Sequence, residues 1–262
     1  MSSISSLRLS ALGVLVRRHD PDRYLTALFA PEDRRELLFL LYAFNHELAR
    51  AREAVSEPTL ALIRLHWWRE VVEGVRRRHE VAGPLGEVLD AGLIAPGPLL
   101  AMIDGREVEA EPGVATLADW RSWLMATGGG VAVTAGQILG ADDEVLGRLR
   151  LLGAAYGAAG QRRSVAALAR QGRCMLPADL MNAHGLTAEA VIARPALAAP
   201  VLAELAEAAR TWLRAGGRMP RGVIAAALPA VLARRDLRRN GAAARGVGDQ
   251  MAVLAAVLLS RI

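Results

Sequence analysis

Residues 31–81 read PEDRRELLFLLYAFNHELARAREAVSEPTLALIRLHWWREVVEGVRRRHEV, and two helical patterns lie back to back in them. Pro31 suits the opening turn of a helix, and Glu32 and Asp33 complement its positive end. Leu37, Leu40, Leu41, Phe44 and Leu48 then recur every three or four residues, which places them on one face. Ser56-Glu57-Pro58 ends this helix, because the residue before a proline is pushed out of helical geometry. In the second pattern Ile63, Trp67, Val71 and Val75 follow at four-residue steps, widened by Leu60, Trp68 and Val72. The spacing predicts a buried helical hairpin.

The rest of the chain reads as more of the same. Twelve prolines separate segments rich in Ala, Leu, Arg and Glu, with no alternating strand pattern, so the expected class is all-α. Amphipathic helices are expected over 4–18 and 20–30, and a short one from Leu85 to Leu93 after the break at Ala82-Gly83-Pro84. Pro96-Gly97-Pro98 opens a helix through LLAMIDGREVEAE, where Asp104, Arg106, Glu107 and Glu109 cluster. In the next helix Thr116 or Asp119 is the cap and Gly140 the stop. Inside it Gly128, Gly129 and Gly130 each cost about 1 kcal/mol of helix propensity relative to alanine, which implies close packing against that backbone. A long helix follows from Asp142. Gly153, Gly157 and Gly160 share one of its faces but do not form GxGxxG, which excludes a dinucleotide fingerprint. No repeat period or linker divides residues 1–262, so one domain is expected, with a soft break at Arg194-Pro195.

Composition narrows the function classes. Hydrophobic residues make up 53% of the 262, enough for a sizeable core. No window reaches the roughly 20 apolar residues of a bilayer span, and Met251 to Leu259 is too short for one. The apolar run ALGVLV passes straight into Arg17-Arg18-His19-Asp20 and makes a poor signal peptide. Cys174 is the lone cysteine, which rules out an internal disulfide and fits a reducing, cytoplasmic setting. The net charge is +5, yet all 32 basic residues are arginine; a nucleotide-composition bias accounts for most of this. Without lysine there is no phosphate-loop lysine and no Schiff base. The five histidines show no zinc spacing, and scarce aromatics, 4% of the chain, exclude a nucleic-acid-binding stripe. An anionic partner such as a diphosphate or a membrane surface remains.

LYAFNHELARAREAVSEPTLALIRLHWWRE, residues 41–70, resembles the first signature region of the squalene/phytoene synthase family. There a Tyr-Ala-Phe-Cys-Arg start leads into an aspartate cluster and an RL-x-WW helix. Ile103-Asp104-Gly105-Arg106-Glu107 is similar to a later family helix. Gly172-Arg173-Cys174-Met175-Leu176-Pro177 is similar to the end of the second motif. The resemblance implies an isoprenoid-synthase-like helical bundle with a central cavity, bounded by the hairpin and by helices at 116–139 and 142–170. It also implies Mg²⁺-dependent ionisation of a prenyl diphosphate, the metal held by aspartates one turn apart on facing helices.

At the positions that match, those aspartates are replaced. The first cluster falls on Ala49, Arg50 and Glu53, and the second on Ser164 and Leu168. From Val145 to Ala178 the chain has no carboxylate but six arginines, among them Arg162, Arg163 and Arg173. Such a site repels Mg²⁺, so no catalytic residue, metal or cofactor is expected. The departures themselves resemble a non-catalytic branch of the family that includes an assembly factor of respiratory complex I. Asn45, Glu47, Val55-Ser56-Glu57, Asp179 and His184-Gly185 carry this closer likeness.

The expected function is that of a degenerate family member assisting assembly of a respiratory membrane complex. Its partner would be a subunit or intermediate of that complex, with peripheral contact at the inner membrane. Tyr42, Asn45, Glu53, Asp104, Arg106, Glu107, Gln161 and Arg163 are the candidates for holding a prenyl diphosphate or lipid. Two alternatives stay open. One is an active Mg²⁺-dependent prenyltransferase using Glu53, Asp104, Glu107 and Glu47; the other is a carrier that binds a polyprenyl diphosphate on its arginines.

Overall fold

The structure, a computed structural model, describes residues 10–53, 55, 57–239 and 244–262. Residues 4–9 of the expected first helix, and Ser56 of the hairpin break, lie outside the described residues. The helices are α1 (Ala11–His19), α2 (Pro21–Ala27), α3 (Glu32–Glu53), α4 (Pro58–Val72), α5 (Ala82–Asp90), α6 (Pro96–Glu107), α7 (Leu117–Ala126), α8 (Gly128–Ile138) and α9 (Asp143–Arg170). After these come α10 (Ala178–Ala183), α11 (Ala188–Ala193), α12 (Ala199–Leu213), α13 (Ile224–Ala227), α14 (Pro229–Arg238) and α15 (Val247–Leu259). Among the described residues there is no strand, and the protein is all-α.

Local chemistry sets the boundaries. Asp142 caps α9, its carboxylate accepting from the Val145 amide at 2.9 Å. Thr116 and Asp119 form a reciprocal capping box that opens α7. Gly140, at φ +79°, supplies the left-handed turn after α8. Pro84 falls inside the first turn of α5, where the missing amide costs nothing, so that helix begins at Ala82 and not at Leu85. The single helix expected over 116–139 is two. Thr127, at φ −86° and ψ −81°, leaves helical geometry and turns α8 away from α7.

α9 runs through the centre, with α7, α8, α12 and α14 packed around it. Its closest neighbour is α8, and the glycines explain why. A methyl group on Gly128 would stand 2.5 Å from the Gly153 carbonyl oxygen, and one on Gly153 would collide with the carbonyl of Gly128. The two backbones touch, which only glycine allows.

In α3, Leu40, Leu41, Phe44 and Leu48 are buried as expected, with Leu37 half-buried. The face expected for α4 is corrected. Ala61, Leu65, Trp68, Val71 and Val72 are buried, whereas Leu60, Ile63 and Val75 are exposed and Trp67 is half-buried. A four-residue step overshoots a 3.6-residue turn by about 40°, so Ile63, Trp67 and Val71 wind from the exposed to the buried side. Val75 lies past the end of α4, after Gly74 at φ +116°. The buried residues follow steps of four, three and three, with Val72 next to Val71.

Candidate functional site

A cavity of about 240 Å³ opens between α3, α6, α7, α8 and α9. The residues at the two motif positions meet across it: Ala49 and Glu53 from α3 face Ser164 and Leu168 from α9. Arg106 and Gln161, two of the ligand candidates, also line it. α4 contributes no lining residue, because its buried side is taken up against α3 and α6; the hairpin bounds the cavity through α3 alone.

The charged groups at the wall are arginines and two glutamates. Glu109, nearly buried, accepts from Arg106 at 2.5 Å and from the Trp123 indole at 3.1 Å. Arg106 also donates to Asn45 Oδ1 at 2.9 Å, which holds α6 against α3. Arg173 is buried and donates to the Glu109 backbone carbonyl at 2.8 Å. Its Nε has no hydrogen-bond partner among the described residues. Burial first, and then the charge of Arg52, pull its pKa below the usual arginine value.

Arg23 closes the inner end. Its guanidinium lies 4.9 Å from the Tyr156 ring centre and 5.7 Å from that of Tyr42, with Asp20 2.9 Å away. Burial works against its charge, but Asp20 and Tyr156 more than offset that and raise its pKa. Burial also raises the phenol pKa of both tyrosines. Beneath them, against Leu152 and Ala230, the hollow shrinks to about 10 Å³, room for roughly one water.

Other sequence candidates lie elsewhere. Asp104 and Glu107 stand on the outer side of α6, where both accept from Arg69 of α4, Glu107 at 3.2 Å. They are half or more exposed and do not line the cavity. Arg50 is exposed and paired with Glu47 at 3.4 Å. Arg163 turns from the cavity toward α14, where it is bonded to Asp236. Tyr42 lines the inner hollow and not the main cavity.

Sequence reasoning passed over Arg23, Trp123 and Tyr156. The one available signal was Tyr156 beside Gly157 and Gly160 on the face of α9 that now lines the cavity. Among the described residues no three His, Cys, Asp or Glu side chains gather in a metal-binding arrangement.

With this geometry in hand, known proteins give a consistent comparison. A dehydrosqualene synthase solved with a bound ligand has the same fold, with a TM-score of 0.77 at 15% identity, covering 95% of this chain and 94% of that one. A squalene synthase from Alicyclobacillus acidocaldarius superposes with a TM-score of 0.67 at 18% identity, covering 87% and 90%. In sequence, the chain is 26% identical over 226 residues to the Mus musculus protein named NADH dehydrogenase (ubiquinone) complex I, assembly factor 6, covering 83% of this chain and 68% of that one. It is likewise 26% identical over 181 residues to the Bos taurus protein of that name, covering 67% and 54%. The Homo sapiens protein of that name is 41% identical over 61 residues, 23% of this chain and 18% of that one. The chain thus spans about half the length of the bovine relative and less of the human one. A family model described as squalene/phytoene synthase matches residues 16–255; the chain belongs to the squalene/phytoene synthase family.

Proposed function

We propose that this chain is a catalytically inactive member of its family that acts as an accessory factor in the assembly of respiratory complex I. One observation carries the proposal. Where Ala49 and Glu53 face Ser164 and Leu168, the only carboxylate is Glu53, and three arginines share the cavity wall. Mg²⁺ wants several hard oxygen ligands in octahedral order. Glu109, the other acid of the cavity, is already engaged by Arg106 and Trp123. Of the other acids in the alternative ligand set, Asp104 and Glu107 hold Arg69 outside, and Glu47 is paired with Arg50 off the cavity. The donor set does not fit a metal–diphosphate centre, and a prenyltransferase step has nothing to run on. Kinship with proteins named for complex I assembly supports the accessory role.

The cavity keeps a capacity to bind. Arg173 presents, in a buried setting, an Nε without a partner among the described residues, a donor that an anionic head group would satisfy. A prenyl diphosphate or a lipid phosphate held there, without metal, is the ligand this reading expects. Deletion of the gene is expected to lower NADH–quinone oxidoreductase activity of isolated membranes, with rescue by the intact chain. Normal activity and normal complex I content in the deletion strain would sink the assembly role.

A further inference from the structure

The basic charge is not spread evenly over the molecule. Residues 199–262 hold ten arginines and four carboxylates, a net of +6, whereas residues 1–198 hold 22 arginines and 23 carboxylates. Two of the four acids in the last stretch, Asp236 and Asp249, are buried and tied up by Arg163, Arg245, Arg235 and Arg239. With those pairs set aside, this part still holds seven arginines against two carboxylates, a net of +5.

Among the described residues, the same part carries the longest run of exposed large apolar side chains. Asp249, Val253 and Ala256 turn α15 inward, while Val247, Met251, Leu254, Leu258 and Leu259 stay exposed, Leu258 at 70%. Val247, Met251, Leu254 and Leu258, spaced by four, three and four, form a continuous outward stripe on a helix about 20 Å long, with Leu259 to one side of its end. Arginines collect at its C-terminal end. Arg221 donates to the Ser260 hydroxyl at 3.4 Å, and Arg218 pairs its backbone with Arg261. Arg238 and Arg261 lie near enough to Arg234 that, after burial, they depress its pKa. Among the described residues none of these five has a carboxylate within 4 Å. Beside them a hollow of about 200 Å³ between α12 and α14 is walled by Arg210, Arg214, Arg234 and Arg238.

We propose that the exposed stripe of α15 and the arginines at its end form a docking surface for a bilayer rich in anionic phospholipid. The helix is too short to cross and none of the described helices is apolar enough to do so. Lying in the plane of the interface, it buries Met251, Leu254 and Leu258 at the boundary of the acyl chains. Arg218, Arg221, Arg234, Arg238 and Arg261 then sit at the depth of the phosphates, and the arginine-walled hollow takes a head group. This occupant satisfies both halves of the surface, whereas a second copy of the chain would bring the same arginines against these. The inference holds whether or not the cavity turns over substrate.

Flotation of the full chain with vesicles tests it, using phosphatidylcholine alone and phosphatidylcholine with one-third phosphatidylglycerol. Binding is expected only to the anionic vesicles and to fall as salt rises. Leu258→Glu, at an exposed position, is expected to abolish it while circular dichroism and melting temperature stay unchanged. Arg238→Ala with Arg261→Ala is expected to weaken it about 30-fold. No binding to either vesicle overturns the proposal, as does a Leu258→Glu protein that floats like the parent. A concentration-dependent dimer in sedimentation that Leu258→Glu dissolves, without vesicle binding, would assign the stripe to self-association instead. Free inorganic phosphate at millimolar concentration is expected to compete weakly; full competition would reduce the surface to a phosphate site.

Discussion

Glu109 is nearly buried, and its charge is shared between Arg106 and the Trp123 indole. Removing it leaves the mostly buried Arg106 guanidinium without a carboxylate, with only its bond to Asn45, and a buried charge stripped of its partner costs about 3–5 kcal/mol. Glu109→Ala is expected to lose that order of stability in urea titrations. Asp104→Ala, whose carboxylate is 59% exposed, is expected to lose under about 1 kcal/mol although it too pairs with an arginine. Equal losses would mean that burial is not what separates the two acids.

At Asp249 burial opposes the charge, but the Gly246 amide and the guanidiniums of Arg239 and Arg235 hold its carboxyl well below the usual carboxylate range. A carboxyl depressed in the folded state contributes stability that is complete above its unfolded value, near 3.9, and is lost as pH falls through the folded one. Asp249→Asn is therefore expected to melt at a lower temperature at pH 7 and to lose less of its remaining stability on acidification below about pH 4. Parallel acid limbs for the two proteins in calorimetry would contradict this. Such pairs are hard to read from sequence. Arg163 belongs to an arginine-rich motif, but its partner Asp236 is 73 residues on, and only the packing of α14 on α9 brings them together.

Among the elements, α8 and α9 carry the sharpest sequence-to-packing link. Gly128 to Gly130 signalled a close approach to that backbone because three successive glycines weaken a helix. The sequence did not contain the partner's identity, which is Gly153. Gly153→Ala is expected to cost about 1–3 kcal/mol or more, since the Gly128 backbone cannot yield as a side chain would. Gly147 sits on the exposed side of the same helix, where an added methyl group would meet no neighbouring element within 4 Å. There alanine is expected to add about 0.5–1 kcal/mol. Chevron or urea data giving the two changes the same sign would undo this account of the crossing. The face of α4 was harder to read because its outer side is apolar too: Leu60, Leu62 and Ile63 are exposed. When both sides of a helix are hydrophobic, spacing no longer distinguishes core from surface.

For the whole molecule, the helical class was legible because apolar period, prolines and caps agree along the chain, and the family because residues 41–70, 103–107 and 172–177 resemble its motifs. The two motif positions were legible too, and they do face each other across one cavity. The remaining wall was not, since Arg23, Trp123 and Tyr156 come from three helices whose meeting is a tertiary fact. Charge distribution belongs to this scale as well. A net +5 suggests a mildly basic protein, while the fold concentrates the excess beside the apolar stripe of α15.

The central claim is that the cavity has kept its place in the fold and lost the means to ionise a prenyl diphosphate. Release of diphosphate from farnesyl and geranylgeranyl diphosphate, with Mg²⁺ and NADPH, tests it most directly, with an active dehydrosqualene synthase run alongside. The account predicts no release above the buffer rate while the control turns over. Steady release that EDTA abolishes would contradict it, and would mean that Glu53 has metal-binding company that the wall described here does not provide.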